Sequence, residues 1–397
     1  MASHALTAPV ADAPAPSPKA DPVPPVAAKA VPQPRYLFGP VIDFLCLGGS
    51  SLLLFPLVYA LGDSANVAGV AVTMLLVAHF INHPHFAASY QIFYRGFAQK
   101  AFTPALGRAM QARYLFAGLI APVALVLFFL WGAGTSNSRM LGYAANVMGL
   151  AVGWHYVKQG YGMLMVDAAL KRLYLKDPAK KIILANCYMT WFASWLGLNA
   201  AASRWELWGL AYYSFAVPTP LVTAATAAAG MTALAAAWVL ASEWRRMGSL
   251  PWNGVIAFGV SLYAWLLFVT VNPVWGLMVP ALHSLQYLVV VTRFQLNYER
   301  DQLTNPDYKK TSLVRRIFGG NPLPHLAFFF VVAAIVGWLG FWGMPTILDG
   351  LVPYDSIATT GTLFLFVFWI FINVHHYFLD NVMWRRENPE TGKYLFG

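Results

Sequence analysis

The sequence predicts an all-α fold: a polytopic bundle of about ten transmembrane helices with both termini in the cytoplasm. Three observations carry this expectation: the composition, the spacing of apolar runs and the alternation of basic loops. Of the 397 residues, 58% are hydrophobic and only 11% are charged. Ordinary soluble domains are about half apolar and about a quarter charged. At a mean hydropathy of +0.55, a soluble fold of this length has too little interior for its apolar side chains.

A spanning helix needs about 20 largely apolar residues to cross a hydrocarbon core of about 30 Å. Such runs fall at 39–61, 67–90, 114–134, 139–168, 183–202, 219–241, 254–271, 274–296, 324–345 and 357–384. Asn272-Pro273 separates the seventh from the eighth as a turn signal. The basic residues test this division independently. With ten spans, one side of the membrane collects every Lys and Arg except Arg139 and Arg204, on the other side, and Lys158, inside a span. The positive-inside rule makes the basic side cytoplasmic, which in a bacterium is the inner face of the cytoplasmic membrane. The formal charge of +10 therefore reads as loops at a membrane surface, and nucleic acid is not an expected partner. The opposite loops are short, as in Gly62-Asp63-Ser64-Ala65-Asn66, and leave no room for a large outer domain.

Three regions follow: a disordered Pro/Ala-rich arm over 1–35, a helical membrane domain over 36–385 and a short tail over 386–397. The arm lacks a charged segment followed by an apolar core, so it does not read as a signal peptide. Cys46 and Cys187 both lie in apolar runs, which argues against a disulfide or a CxxC metal site. Gly160-Tyr161-Gly162 has no preceding strand and is not a nucleotide loop. Gly48-Gly49-Ser50-Ser51 offers small residues for close helix packing. Asp43 is expected to pair with loop cations at the start of the first span.

The histidines carry the chemistry. Seven of the nine fall inside spans clear of their ends (His325 is the second residue of the ninth): His79, His83, His85, His155, His283, His375 and His376. They occupy only the second, fourth, eighth and tenth spans, which all run in one direction. At 1.5 Å per residue, His83, His283 and His375 lie about 15–18 Å from the first cation beyond their span, and His79 and His155 about 24 Å. Histidines placed for packing need not share a depth, and ionisable groups in a membrane are costly enough to imply function. Any one of them alone is explained as a hydrogen-bonded packing residue; the convergence of seven argues for a metal or haem site.

Local spacings refine this. His79 and His83 are i,i+4 and share a face able to chelate one ion. Pro84 removes a backbone hydrogen bond, so a kink is expected to turn His85 toward the same centre. Gln286 and Tyr287 follow His283 on its face, and Asn373, His376 and Asp380 share another. Asp380 is expected to accept a hydrogen bond from His376 and orient it. His375 and His376 point about 100° apart, so one of them is expected to face the site. Lys158, on one face with His155, Gln159 and Gly162, is expected to snorkel or to pair with Asp167 or Asp380. The expected metal set is thus His79, His83, His85, His155, His283, His375 and His376. Asp380, Asn373, Lys158, Gln286 and Tyr287 are the expected supporting residues.

In architecture this resembles the histidine-rich membrane non-haem iron oxygenases, which include fatty-acid desaturases and hydroxylases and the Brp/Blh carotenoid dioxygenases. The desaturase pattern is matched locally by HxxxH at His79 and His83 and lacks the HxxHH boxes; the Brp/Blh type also carries isolated histidines deep in several spans. The resemblance implies non-haem iron, oxidoreductase chemistry and a place in lipid metabolism. The expected function is a metal-dependent oxidoreductase acting on a lipid, isoprenoid or quinone, with a redox partner at the cytoplasmic face. Two other readings stay open: a b-type haem protein for electron transfer, and a proton-coupled transporter working through its histidines.

Overall fold

A computed structural model of the chain describes residues 36–61, 67–103, 106–201, 205–207, 209–267, 273–307, 313–354 and 361–396. The expected N-terminal arm lies outside the described residues. The chain is almost entirely helical: α1 Pro40–Phe44, α2 Ser50–Leu61, α3 Val67–Phe80, α4 Asn82–Tyr94, α5 Phe97–Phe102, α6 Arg108–Leu115, α7 Ala121–Gly134, α8 Ser138–Leu170 and α9 Asp177–Ala201. Then come α10 Thr219–Met247, α11 Trp252–Gly259, α12 Pro273–Thr304, α13 Leu313–Phe318, α14 Pro322–Trp338, α15 Met344–Leu351, α16 Leu363–Met383 and α17 Pro389–Phe396.

Among the described residues, seven helical segments are long and apolar enough to cross a membrane: Pro40–Ala60, Val67–Tyr94, Arg108–Gly134, Thr219–Met247, Val274–Thr304, Pro322–Leu351 and Leu363–Met383. The fourth and fifth expected spans are helices of 33 and 25 residues, α8 and α9, and are less apolar than those seven. Of the seventh expected span, residues 268–271 lie outside the described residues. Its apolar helix covers Trp252–Ala264, about 20 Å of the ~30 Å a crossing requires. Part of its apolarity serves packing, because Ala257 and Phe258 are buried and Phe258 clusters with Val157 and Leu164 of α8.

The all-α expectation misses one small element. Trp205–Leu207 (β1) and Leu210–Tyr212 (β2) form an antiparallel hairpin between α9 and α10. Gly209, at φ 77°, supplies the left-handed residue of its two-residue turn. The expected tail is also more than a tail, since α17 buries Tyr394 and Leu395 and ties Glu390 to Lys100 at 2.9 Å. Asp43 pairs with the backbone rather than with a loop cation as its main contact. Its carboxylate accepts from the N–H groups of Leu37 and Phe38 at 2.7 and 3.0 Å, closing the turn that leads into α1.

The bundle has a core and a rim. In its most apolar stretch α12 is 61% buried, whereas α10 is 11% buried and turns Leu234 and Trp238 outward. Around α12 sit α3, α4, α14 and α17, and α8 packs against α9, α11 and α16. Four π-helical turns interrupt the core helices, at Leu45–Gly49, Phe116–Ile120, Val260–Ala264 and Leu339–Gly343. A π turn skips a regular hydrogen bond and frees carbonyls for other donors. Leu47 O accepts from Gln286 Nε2 at 2.6 Å, Ala117 O from His375 Nε2 at 2.9 Å and Ala264 O from Trp275 Nε1 at 2.9 Å. Three of the four turns thus act as sockets for side chains of α12 and α16. At the first of them the chain passes close to α11, and a Cβ on Gly48 would lie 3.2 Å from Ile256 Cγ2.

Candidate metal centre

The site begins with a break in the second expected span. Pro84 has no N–H for the Phe80 carbonyl, so α3 ends at Phe80 and α4 starts at Asn82, with Ile81 at φ −120°, ψ −57° between them. The interruption falls one turn before the proline. His83 and His85, two residues apart, then leave α4 in different directions. His83 stacks on Phe341 at 4.6 Å, whereas His85 meets His376 at 4.5 Å and His283 at 5.2 Å.

His85 of α4, His155 of α8 and His376 of α16 each offer a donor atom, and these atoms all lie within 4.8 Å of one another. A tetrahedral ion with bonds of about 2.1 Å holds its donors about 3.4 Å apart, so closure asks about 0.8 Å or less of each imidazole. His283 joins the group, its ring 4.9 Å from that of His155 and its other face 4.2 Å from Tyr156. Asp380 Oδ2 lies 3.3 Å from His376 Nε2 and 3.7 Å from His155 Nε2. His85 Nε2, His155 Nε2, His283 Nδ1, both nitrogens of His376 and Asp380 Oδ2 are buried without a hydrogen-bond partner. Buried polar atoms are almost always satisfied. One donor atom each from His85, His155 and His376, with Asp380 Oδ2 beside them, fits the donor set of an ion.

Hydrogen bonds behind the cluster fix how it presents itself. Ser284 Oγ donates to Asn82 Oδ1 at 2.8 Å, so its contact of 3.1 Å with His85 Nδ1 is one in which the imidazole N–H donates. That places the proton on Nδ1 and leaves the Nε2 lone pair facing the other imidazoles, the tautomer a metal needs. Tyr287 OH donates to Asp380 Oδ1 at 2.9 Å and accepts from Trp384 Nε1 at 3.2 Å. Ser89 Oγ stands 2.7 Å from the same phenol. One carboxylate oxygen is therefore held by the protein, and the other is left to the site.

The remaining expected residues are placed as follows. His79 and His83 sit with their rings 4.9 Å apart, but Phe86 and Phe341 stand between them and the cluster. His79 Nδ1 is also committed to Leu75 O at 2.8 Å. The convergence of His79 and His83 with the others is therefore corrected: His79 lies on α3 before the break at Ile81, and His83, two residues before His85 on α4, points about 200° away from it around the helix. His375 turns away, with Nε2–H donating to Ala117 O and Nδ1 accepting from Tyr90 OH, both at 2.9 Å. With both nitrogens used, it is a packing residue.

Among the supporting residues, Tyr287 and Asp380 are at the site, although Asp380 stands beside His376 Nε2 without the expected hydrogen bond. Gln286 instead bridges Leu47 O and Gln159 Nε2, joining α12 to the first π turn and to α8. Asn373 donates back to Trp369 O on its own helix. Lys158 lies between the Trp154 and Tyr161 rings, 5.6 and 5.5 Å away, while Asp167 takes Lys171 and Asp380 takes the histidines. Sequence reasoning missed Ser284, Asn82 and Ser89, whose only signal was polarity inside apolar runs. His325, at the edge of its expected span and apart from the cluster, is buried, with Nε2 3.0 Å from Gly319 O and Nδ1 3.4 Å from Glu299.

No protein-family model, curated protein or solved structure matches the chain at a significant level.

Proposed function

We propose that the chain is an integral membrane metal-dependent oxidoreductase, whose intramembrane histidine centre acts on a lipophilic substrate. The observation that carries the reading is the meeting of His85, His155 and His376 from three helices with Asp380 beside them. Imidazoles suit iron, copper and zinc, and the three-histidine, one-carboxylate set fits non-haem iron well. The carboxylate offsets half the charge of a divalent ion in a medium where unpaired charge is costly. When bound, such an ion supplies redox or Lewis-acid chemistry. The protein's part is to hold the donors, keep His85 in the Nδ1–H tautomer through Ser284, and aim Asp380 through Tyr287.

Crowding favours an ion over haem. A bis-imidazole haem needs its two ligands on opposite sides of a flat macrocycle. Here the rings of Tyr156, Phe86 and Tyr287 stand 4.2, 4.7 and 5.7 Å from His283, His376 and His376 respectively. A site buried in an apolar bundle also suits a substrate that arrives from the bilayer, with electrons delivered from a partner at the basic face.

The test is metal analysis with an optical spectrum on detergent-purified protein. The expected result is one equivalent of a transition metal and no Soret band. Protein free of metal that nevertheless moves protons in a pH-dependent way would point to a proton path instead. The ten-span arrangement with both termini cytoplasmic is part of the same proposal, supported by the distribution of basic loops. Reporter fusions after Arg108, Lys181, Arg246 and Arg316 and at the C-terminus are expected on the cytoplasmic side, and fusions at Asn66 and Leu351 outside. A single inverted fusion breaks the ten-span arrangement.

A further inference from the structure

The metal centre is not sealed equally on all sides. His85 and His376 are 0% and 2% exposed, whereas His155 is 9% exposed, so the way in runs along α8. Three residues after His155 comes Lys158, an ammonium group deep in a helix of a membrane bundle. It lies about 18 Å from the end of α8 at Leu170. Trp154 and Tyr161 steady the ammonium through their ring faces. Rings do not neutralise charge, and among the described residues Lys158 makes no ion pair with a carboxylate. A half-buried cation held only by aromatic rings is an electrostatic arrangement that an anion completes.

The surroundings provide space for the rest of such a molecule. One turn further along the face, at Gly162, an added Cβ would meet nothing within 4 Å. On the two sides stand α9 and α16, each packed on α8 but with no extended packing on each other. Their facing surfaces carry Tyr188, 36% exposed, and Tyr377, half-buried with its ring 6.4 Å from that of His155. A groove between α9 and α16 would have aromatic walls, a cation in its floor and the metal centre at its inner end.

We propose that this groove on α8 binds a lipid chain ending in an anion, with the anion on Lys158 and the adjoining carbons beside His155. The proposal rests on the metal-centre reading and names its substrate class: an acyl or isoprenyl carboxylate or phosphate, rather than a neutral hydrocarbon or quinone. Residues at i and i+3 of a helix lie about 5–6 Å apart at Cβ, so the carbons presented to the centre are those a few bonds from the anion.

The experiment is equilibrium binding to the detergent-purified full-length protein with radiolabelled oleate, oleyl phosphate, oleyl alcohol and acetate. Wild type is expected to bind oleate or oleyl phosphate about tenfold or more tightly than oleyl alcohol, as befits a hydrogen bond to a charged group, and acetate only weakly. Lys158→Gln is expected to erase that preference and Lys158→Arg to keep it. Equal affinity for oleate and oleyl alcohol in wild type overturns the proposal, as does a preference that survives in Lys158→Gln. Repeating the binding on chelator-treated protein separates the two claims. A charge preference that persists there, in a protein without stoichiometric metal as isolated, supports the groove while the metal reading falls.

Discussion

Replacing His376 with alanine is expected to abolish stoichiometric metal binding in a protein that still folds, and replacing the adjacent His375 is expected to do the reverse. The two side chains leave α16 in different directions and meet different partners. His376 is ringed by His85, His155, Phe86 and Tyr287, and neither of its nitrogens has a hydrogen bond. Its loss removes a donor and leaves no native hydrogen bond broken. His375 spends both nitrogens on Ala117 O and Tyr90 OH. Its removal leaves two groups unpaired at a cost of about 1–3 kcal/mol, with the metal retained. His85→Ala and His155→Ala are expected to follow His376, and Asp380→Asn to weaken retention by about 10–100-fold. Metal content and melting temperature in detergent measure both effects. Identical behaviour of His375→Ala and His376→Ala would falsify the division of roles between them.

The membrane class was legible in the sequence because composition and run length act on the whole chain and need no tertiary information. The span count was harder to read. Apolar residues on the short helix Trp252–Ala264 face other helices, and a hydropathy count does not distinguish lipid from a protein interior. The histidines announced a site through their shared depth, but depth is one coordinate and a site needs three. His83 and His375 share the slab, yet each turns away from the cluster by the helical rotation separating it from its neighbour. The tautomer-setting serine, Ser284, was invisible for a different reason. A serine in an apolar run has meaning only once the helix opposite it is known. Lys158 was readable as an anomaly, and the carboxylates expected to neutralise it proved to be engaged elsewhere.

Gly337→Ala is expected to be among the most destabilising single-methyl additions in the bundle, and it also loosens the metal centre. The residues His325, Phe329, Ala333 and Gly337 form the buried stripe of α14 at intervals of four, the spacing that keeps one helix face against one neighbour. That neighbour is α4, and at Gly337 the two backbones nearly touch. A Cβ there would lie 2.6 Å from His83 O and 2.7 Å from His83 C. Backbone atoms cannot rotate aside as a flexible side chain can, so α14 must move off α4. Overpacking of this kind costs about 1–3 kcal/mol, read as a lower melting temperature in detergent. The displacement also reaches the site, because His85 lies two residues along the same backbone and takes its direction from the turn at Ile81. Weaker metal retention is therefore expected alongside lower stability. Gly230→Ala on α10, where an added Cβ meets nothing within 4 Å, is the matched control and is expected to be neutral or slightly stabilising through better helix propensity. Equal melting temperatures for the two variants would show that α14 and α4 do not pack at the separation described, and with it the framework that aims His85 at His376 would fall.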